Sequence, residues 1–319
     1  MKILYYSPDP TDASSFYRGW GALRYLPSTQ VDMVPTDVSW TTFSGYDLLF
    51  VQRPYLPEHV TLIEYALQQI PVVVDYDDAL FAVPAENKAY NTFKQPAVRA
   101  AVATCLELAY GVIFSTERLR EHFSRNFSTP YAVIPNAHNN YIWPELQYPT
   151  AEQNIFWRGG HSHYKDLITF RDAIIKPLQA VSGWDLTCMG ASPWPLEPAE
   201  LTYFPPCDLL EYQRLLREEF RPAICIVPLV DNTFNRCKSN LAWVEATAAG
   251  AITLVPDWPE WEGKATTTYS DELSFQTQLT MLMSLSAQQR RDAWQAAQYH
   301  LPVLGQTNLD RTAFFQAIL

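Results

Sequence analysis

Short apolar segments bounded by turn residues recur along this 319-residue chain and alternate with segments of helical periodicity, in two successive series. Residues 3–6, 31–34, 48–51, 72–75, 112–115 and 132–134 read as strands in the first half, and 155–158, 186–189, 224–227 and 252–255 in the second. Helical periodicity covers 165–181, 209–220 and 239–249, and the pattern beyond residue 271 is helical to the end. Strands separated by helical crossovers pair in parallel, because a parallel neighbour is reached only by a long connection that packs back on the sheet. The pattern predicts an α/β chain with two Rossmann-like, doubly wound domains. At 319 residues the chain exceeds one typical core and suits two domains of about 100–200 residues each.

The segment 141–153, with Pro144 and Pro149 among polar and aromatic residues, reads as the connection. It divides the chain into domains 1–145 and 146–306, with a final amphipathic helix over 307–319 that is able to pack back across the hinge. Two such domains facing each other leave a cleft at the carboxyl ends of both sheets, so ligand-binding residues are expected directly after strands.

Composition narrows the class. With 48% apolar and 18% charged residues the chain is an ordinary globular one. No apolar run approaches the ~18 residues of a bilayer span. Met1-Lys2-Ile3-Leu4-Tyr5-Tyr6 is expected to enter a strand directly rather than serve as a signal peptide, which points to the cytoplasm. A net charge of −11 and a pI near 5.0 disfavour non-specific binding to a polyanion, although a local basic cleft remains compatible with them. The five cysteines show no CxxC spacing, and their odd number favours core thiols over a disulfide framework.

Several polar constellations follow strands. Arg158-Gly159-Gly160-His161-Ser162-His163-Tyr164-Lys165-Asp166 combines two glycines, which permit close backbone approach, with cations at a strand-to-helix turn. A diphosphate suits it; a glycine turn with solvated charges is the plainer alternative. His161 and His163 lack a third ligand at metal spacing, so no metal site is assigned. Lys238-Ser239-Asn240 opens a helix that carries Glu245 and ends at Gly250, the layout of an anion-binding helix N-terminus. Asp75-Tyr76-Asp77-Asp78 brings carboxylates to a strand end, where Asp78 or Asp77 is a candidate base, a helix cap being the competing role. A metal-binding DxD reading lacks further hard ligands nearby. Ser14-Ser15-Phe16-Tyr17-Arg18-Gly19 follows the first strand; Ser15, Tyr17 and Arg18, with Asp75, are candidates for acceptor contact, and turn chemistry explains the serines equally. Pro135-Asn136 ends the last strand of the first half as a hinge turn.

Taken together, the Pro135-Asn136 strand end, the glycine turn with Arg158 and Lys165, and the helix from Lys238-Ser239 to Glu245 resemble the GT-B glycosyltransferases. The likeness is greatest to the retaining, nucleotide-sugar-dependent group called family 4, and it covers nearly the whole chain in order. It implies that Arg158 and Lys165, beside Gly159 and Gly160, hold the donor diphosphate, that Lys238, Ser239 and Asn240 contact it from the helix start, and that Glu245 accepts from ribose hydroxyls. It further implies a UDP- or GDP-linked sugar as co-substrate, no separate cofactor and no catalytic metal, because helix dipole and cations stabilise the leaving diphosphate. The usual motif carries a second glutamate eight positions before Glu245, where this chain has Cys237. With Phe234-Asn235 and Pro228-Leu229-Val230-Asp231, this resembles a divergent branch found in bacteria and phages.

The expected activity is sugar transfer to a hydroxyl acceptor, a glycan or small saccharide by default. A hydroxylated base in DNA is the sharper alternative, given Arg18, Arg24, Arg53, Lys88, Lys94 and Arg99 in the first half. An inert nucleotide-sugar-binding module is a third reading, permitted by Cys237. A dinucleotide-dependent dehydrogenase is disfavoured, since no GxGxxG follows the first strand.

Overall fold

A computed structural model describes residues 1–34, 42–123, 127–197 and 199–319. The first sheet comprises β1 (Lys2–Tyr6), β2 (Gln30–Met33), β3 (Leu48–Gln52), β4 (Val72–Tyr76), β5 (Gly111–Phe114) and β6 (Tyr131–Val133), in the order β2-β1-β3-β4-β5-β6. The second comprises β7 (Asn154–Gly159), β8 (Asp185–Gly190), β9 (Thr202–Phe204), β10 (Ile224–Ile226), β11 (Ile252–Pro256) and β12 (Thr267–Tyr269), in the order β12-β11-β10-β7-β8-β9. Every pairing is parallel. The central strands β3, β4 and β11 are buried along their whole length because helices cover both faces, which is why they read as unbroken apolar runs.

Two edge strands, β9 and β12, escape the sequence pattern. Each has only three residues, and their sequences Thr-Tyr-Phe and Thr-Thr-Tyr carry no apolar run to mark them. The helical segment 209–220 is also not uniform: the α-helix Leu209–Arg214 widens into a π-helical turn, Leu215–Phe220, and stops at Arg221 in the left-handed region (φ +40°).

Strand order reverses between β1 and β3 in the first sheet and between β7 and β10 in the second, and such reversals open a crevice at the carboxyl ends of the strands. The chain crosses between the halves twice. The outgoing and returning segments meet at an isolated bridge, with His138 donating from its backbone to Pro302 and Leu304 donating back to His138, both at 2.8 Å. The final helix, Leu304–Ile318, lies on the first sheet, where Phe315 packs with Ile3, Phe50, Val73 and Ile113. In the other direction, the short helix Thr233–Arg236 of the second half delivers Phe234 and Cys237 into the first half's core, beside Val74, Tyr76 and Phe114.

Gly190 ends β8 at φ +107°, and a Cβ there would lie 2.4 Å from the Gly159 carbonyl oxygen. Both the left-handed conformation and the close approach demand glycine, so Gly190→Ala is expected to cost about 1–3 kcal/mol, read as a lowered midpoint in urea unfolding.

Candidate functional site

The carboxyl ends of the two sheets face one another across a cavity of about 230 Å3. The first half contributes Ser14, Tyr17 and Arg18 after β1, Arg53 after β3, Asp77 and Asp78 after β4, and Asn136. The second half contributes Arg158 at the end of β7 and His163 after it, Leu229 after β10, and Lys238, Ser239, Leu241 and Ala242 at the start of the helix Leu241–Ala248. A second cavity of about 360 Å3 adjoins it, sharing Ala13, Arg158 and Leu241, and is lined by Gly159, Gly160, Gly190, Tyr212 and Glu245.

Glu245 lines the second cavity. Its side chain is 4% exposed, and Oε2 lies 2.6 Å from an Arg158 guanidinium nitrogen. Tyr17 from the first half donates to Oε1 at 2.8 Å and Tyr212 donates to Oε2 at 3.0 Å. Burial, then the carboxylate itself, pushes both phenols well above their ordinary pKa, so they remain donors. Burial opposes the Arg158 charge, but Glu245 more than compensates and raises its pKa. Arg158 keeps a 31% exposed side chain and a buried Nε with no protein partner, which leaves donor capacity for a ligand.

The four acceptor-side candidates separate. Arg18 and Asp75 are both fully buried and form a bidentate pair, with Nε–Oδ1 at 2.7 Å and a second contact at 2.8 Å. Asp75 therefore faces Arg18 beneath the cleft rather than a ligand within it. Arg18 also donates to the Ile134 carbonyl and, at 3.1 Å, to Asn136 Oδ1, and Asn136 Nδ2 donates across the cleft to Ser239 Oγ at 2.8 Å. Ser15 is fully buried in turn chemistry: its N–H is capped by Asp12 and its hydroxyl donates to the Asp9 carbonyl. Only Tyr17 presents a polar atom to residues of the other half, through Glu245 and through Gln213 Nε2 at 2.9 Å.

The carboxylate pair separates too. Burial would raise the Asp77 pKa, but the Arg53 guanidinium, bound to both oxygens, and the Ser14 hydroxyl overcome it and bring it down to about 2. A carboxylate held so firmly ionised is a weak proton acceptor at neutral pH. Asp78 is half-buried, and its Oδ1 lies 3.4 Å from Lys238 Nζ on the opposite wall. Neither residue caps a helix, since the following 3-10 turn, Leu80–Ala82, has no side-chain cap.

On the second half's side, Lys165 points away: it pairs with Glu86 at 3.0 Å on the surface and lines neither cavity. His163, two residues earlier, occupies the cavity wall instead, with Nδ1 2.8 Å from Asp166 Oδ2. His163 closes the 3-10 turn His161–His163, whereas Lys165 lies in the first turn of the helix Tyr164–Ala180. Asn240 is buried and also lines neither cavity; its N–H donates to Glu260, whose pKa burial raises to about 7. Cys237 is 1% exposed, its thiol is pushed up to about 11 by burial, and Thr116 of the first half donates to its carbonyl at 3.1 Å. The position that holds a glutamate in the resembled motif is thus an apolar plug between the halves.

Residues without a sequence signal complete the site. Arg53 follows an apolar strand as a lone arginine; its backbone is left-handed (φ +47°) and its guanidinium binds Asp77. Tyr212 lies on an otherwise amphipathic helix. Asn136 was legible as a turn residue, not as the link between Arg18 and Ser239.

Cations from both halves and the polar helix start Lys238-Ser239 thus converge on one cavity, an arrangement suited to a multiply charged anion. Among the described residues, no group of three or more His, Cys, Asp or Glu side chains is placed to hold a metal ion, and no helix is long and apolar enough to cross a membrane.

No family model matches the chain, and no curated protein matches it. Solved structures do resemble it. A UDP-forming α,α-trehalose-phosphate synthase from Burkholderia xenovorans in complex with glucose-6-phosphate superposes with a TM-score of 0.60 at 10% identity, over 85% of this chain and 72% of that one. S. aureus MnaA in a co-structure with UDP gives 0.57 at 12% identity over 100% and 97%. The UDP-GlcNAc 2-epimerase from Neisseria meningitidis bound to UDP-GlcNAc gives 0.55 at 12% over 99% and 100%. At these identities the likeness defines the fold: two Rossmann-like halves facing across a cleft, the GT-B arrangement.

Proposed function

We propose that this chain is a glycosyltransferase that moves a sugar from a nucleoside diphosphate sugar to a hydroxyl acceptor. The observation that carries the reading is the convergence of Arg158, Lys238 and the helix start at Ser239 on a cavity that shares Ala13, Arg158 and Leu241 with a second one bordered by Gly159, Gly160, Gly190 and Glu245. A diphosphate fits the cationic part, with the nucleoside in the second cavity. A carboxylate offers about four lone-pair sites. Tyr17 and Tyr212 donate to Glu245 and Arg158 pairs with it electrostatically, which leaves acceptor capacity for a ribose hydroxyl. The solved structures whose names include UDP or a UDP-sugar support the same ligand class. Lys165 and Asn240 are left outside this donor site, and His163 enters it. Charge developing on the leaving diphosphate is met by Arg158, Lys238 and the helix dipole, without need of a metal.

The acceptor occupies the first half's side of the cleft, against Asp78 and Tyr17. A glycan or small saccharide is favoured over DNA, because affinity for a phosphate backbone depends on exposed cations. Arg18 is buried against Asp75 and Arg53 is engaged by Asp77, which removes both from that inventory. A diphosphate in the cavity competes with Asp78 for Lys238 and frees Asp78 to orient or deprotonate the acceptor hydroxyl.

Incubation with a panel of UDP- and GDP-sugars, with and without saccharide acceptors, tests the reading: release of the nucleoside diphosphate is expected from at least one donor. Binding of UDP or GDP without release from any donor would favour an inert binding module. Asp78→Asn, which removes the competitor for Lys238, is expected to leave UDP or GDP affinity unchanged or higher and to lower turnover about 100-fold, the scale of a general-base contribution. A fall in folding stability with unchanged turnover would assign Asp78 a structural role.

A further inference from the structure

We propose that the His163–Asp166 pair is a proton-accepting contact for the diphosphate: the imidazole takes up one proton as the anion enters between Arg158 and Lys238, and Nε2–H then donates to a phosphate oxygen. This rests on the nucleotide-binding reading above and adds to it a phosphate contact and a pH dependence.

The geometry supplies the argument. Asp166 is 3% exposed, and its Oδ1 accepts from the Val230 N–H at 2.8 Å and from Asn235 Nδ2 at 2.9 Å, while Oδ2 meets His163 Nδ1 at 2.8 Å. A carboxylate that accepts on both oxygens places the shared proton on Nδ1, which fixes the tautomer and directs the Nε2 lone pair away from Asp166. The ring lines the same cavity as Arg158, Lys238 and Ser239, and no hydrogen bond joins Nε2 to any described residue.

The charged groups around the ring come from three elements. Asp166 lies on its own helix, Arg158 ends β7, and Lys238 precedes the helix Leu241–Ala248 and is itself faced by Asp78 from the first half. Burial lowers the pKa of His163, Asp166 opposes this, and Lys238 and Arg158 lower it further. With protein groups alone the imidazole is therefore neutral near neutral pH, and its bare Nε2 lone pair would oppose a phosphate oxygen. A diphosphate neutralises the two cations that hold the proton off and places its own negative charge nearby, and both changes favour the imidazolium. Arg158 cannot play this part, because a guanidinium carries its proton throughout the accessible pH range.

The sign follows from linkage. A group whose pKa is raised by the ligand binds a proton on complex formation, so affinity is full below the free-state pKa and falls as pH rises toward the bound-state pKa, by up to about tenfold per pH unit.

The test is calorimetric titration of the whole chain with UDP and with GDP between pH 6 and 9, in two buffers of different ionisation heat, which counts protons taken up. The wild-type protein is expected to take up close to ~1 proton within the window between the two pKa values. His163→Gln is expected to abolish that uptake and to weaken binding more at pH 6 than at pH 9. The terminal phosphate of either probe titrates near pH ~6 on its own; that contribution is common to both proteins and cancels in the comparison. Equal uptake by the two proteins, or none by the wild type, overturns the proposal and leaves the nucleotide-binding reading standing. No binding of either nucleotide at any pH overturns both. Above pH ~7.5 the terminal phosphate is almost fully ionised and adds little, so the wild-type proton count there needs no variant and a His163→Gln protein that fails to fold does not decide the matter.

Discussion

Arg158→Gln is expected to weaken binding of UDP or GDP by about 10- to 150-fold, because a charge-assisted hydrogen bond to phosphate contributes ~1.5–3 kcal/mol and each ~1.4 kcal/mol is tenfold in affinity. It is expected to destabilise the fold as well. Glu245 is 4% exposed and would retain only the two tyrosine hydroxyls as partners. Removing one member of a buried pair typically costs ~3–5 kcal/mol, and the lower end applies here because the arginine side chain is 31% exposed and partly screened. Nucleotide titration and urea unfolding measure the two effects separately. The double variant Arg158→Gln/Glu245→Gln is expected to recover most of the stability and none of the affinity. If Arg158→Gln binds nucleotide as the wild type does, Arg158 does not belong to a phosphate site.

The other large effect lies beneath the cleft. Asp75→Asn removes the one carboxylate hydrogen-bonded to Arg18 and leaves that guanidinium fully buried. A second buried guanidinium lies within electrostatic reach: Arg311 of the final helix, whose pKa burial first, and then Arg18, brings down to about 9. Its hydrogen bonds go to Thr307 and Asn308, neither of them charged. The variant therefore brings two cations together without their shared acid, and a loss of ~3–5 kcal/mol in denaturant unfolding is expected. Burial holds the Asp75 pKa above the usual carboxylate value in spite of Arg18, which marks the pair as costly to desolvate. Arg18→Met/Asp75→Asn is accordingly expected to regain much of the stability. It would still lack the chain from Arg18 through Asn136 to Ser239, so nucleotide affinity is expected to remain reduced. A single variant as stable as the wild type would show that solvent reaches the pair.

Strand periodicity was legible for ten of the twelve strands, most plainly where buried parallel strands such as β3, β4 and β11 require continuous apolar runs. The edge strands β9 and β12 were not, since three residues with one apolar side each make no pattern. For the site, residues that act where they stand in sequence were readable: Arg158, Gly159 and Gly160 at the end of β7, and Lys238 and Ser239 before their helix, all line the cleft. Residues whose placement depends on partners from elsewhere were not. Lys165 and His163 differ by two positions, yet the histidine lines the cavity and the lysine pairs with Glu86 of the other half. Asp75, Asp77 and Asp78 form one acidic run, yet Arg18, Arg53 and Lys238, from three separate segments, give them three different environments.

The sequence by itself determined the two parallel sheets and the cationic turn ahead of Glu245, since each follows from local periodicity or from a residue type at a strand end. Only the tertiary structure decided which charges face the cleft. A carboxylate becomes an interior counter-ion, a locked acceptor or an exposed group according to the guanidinium or ammonium that the fold brings within about 3 Å of it, and that neighbour lies tens to hundreds of residues away in the chain.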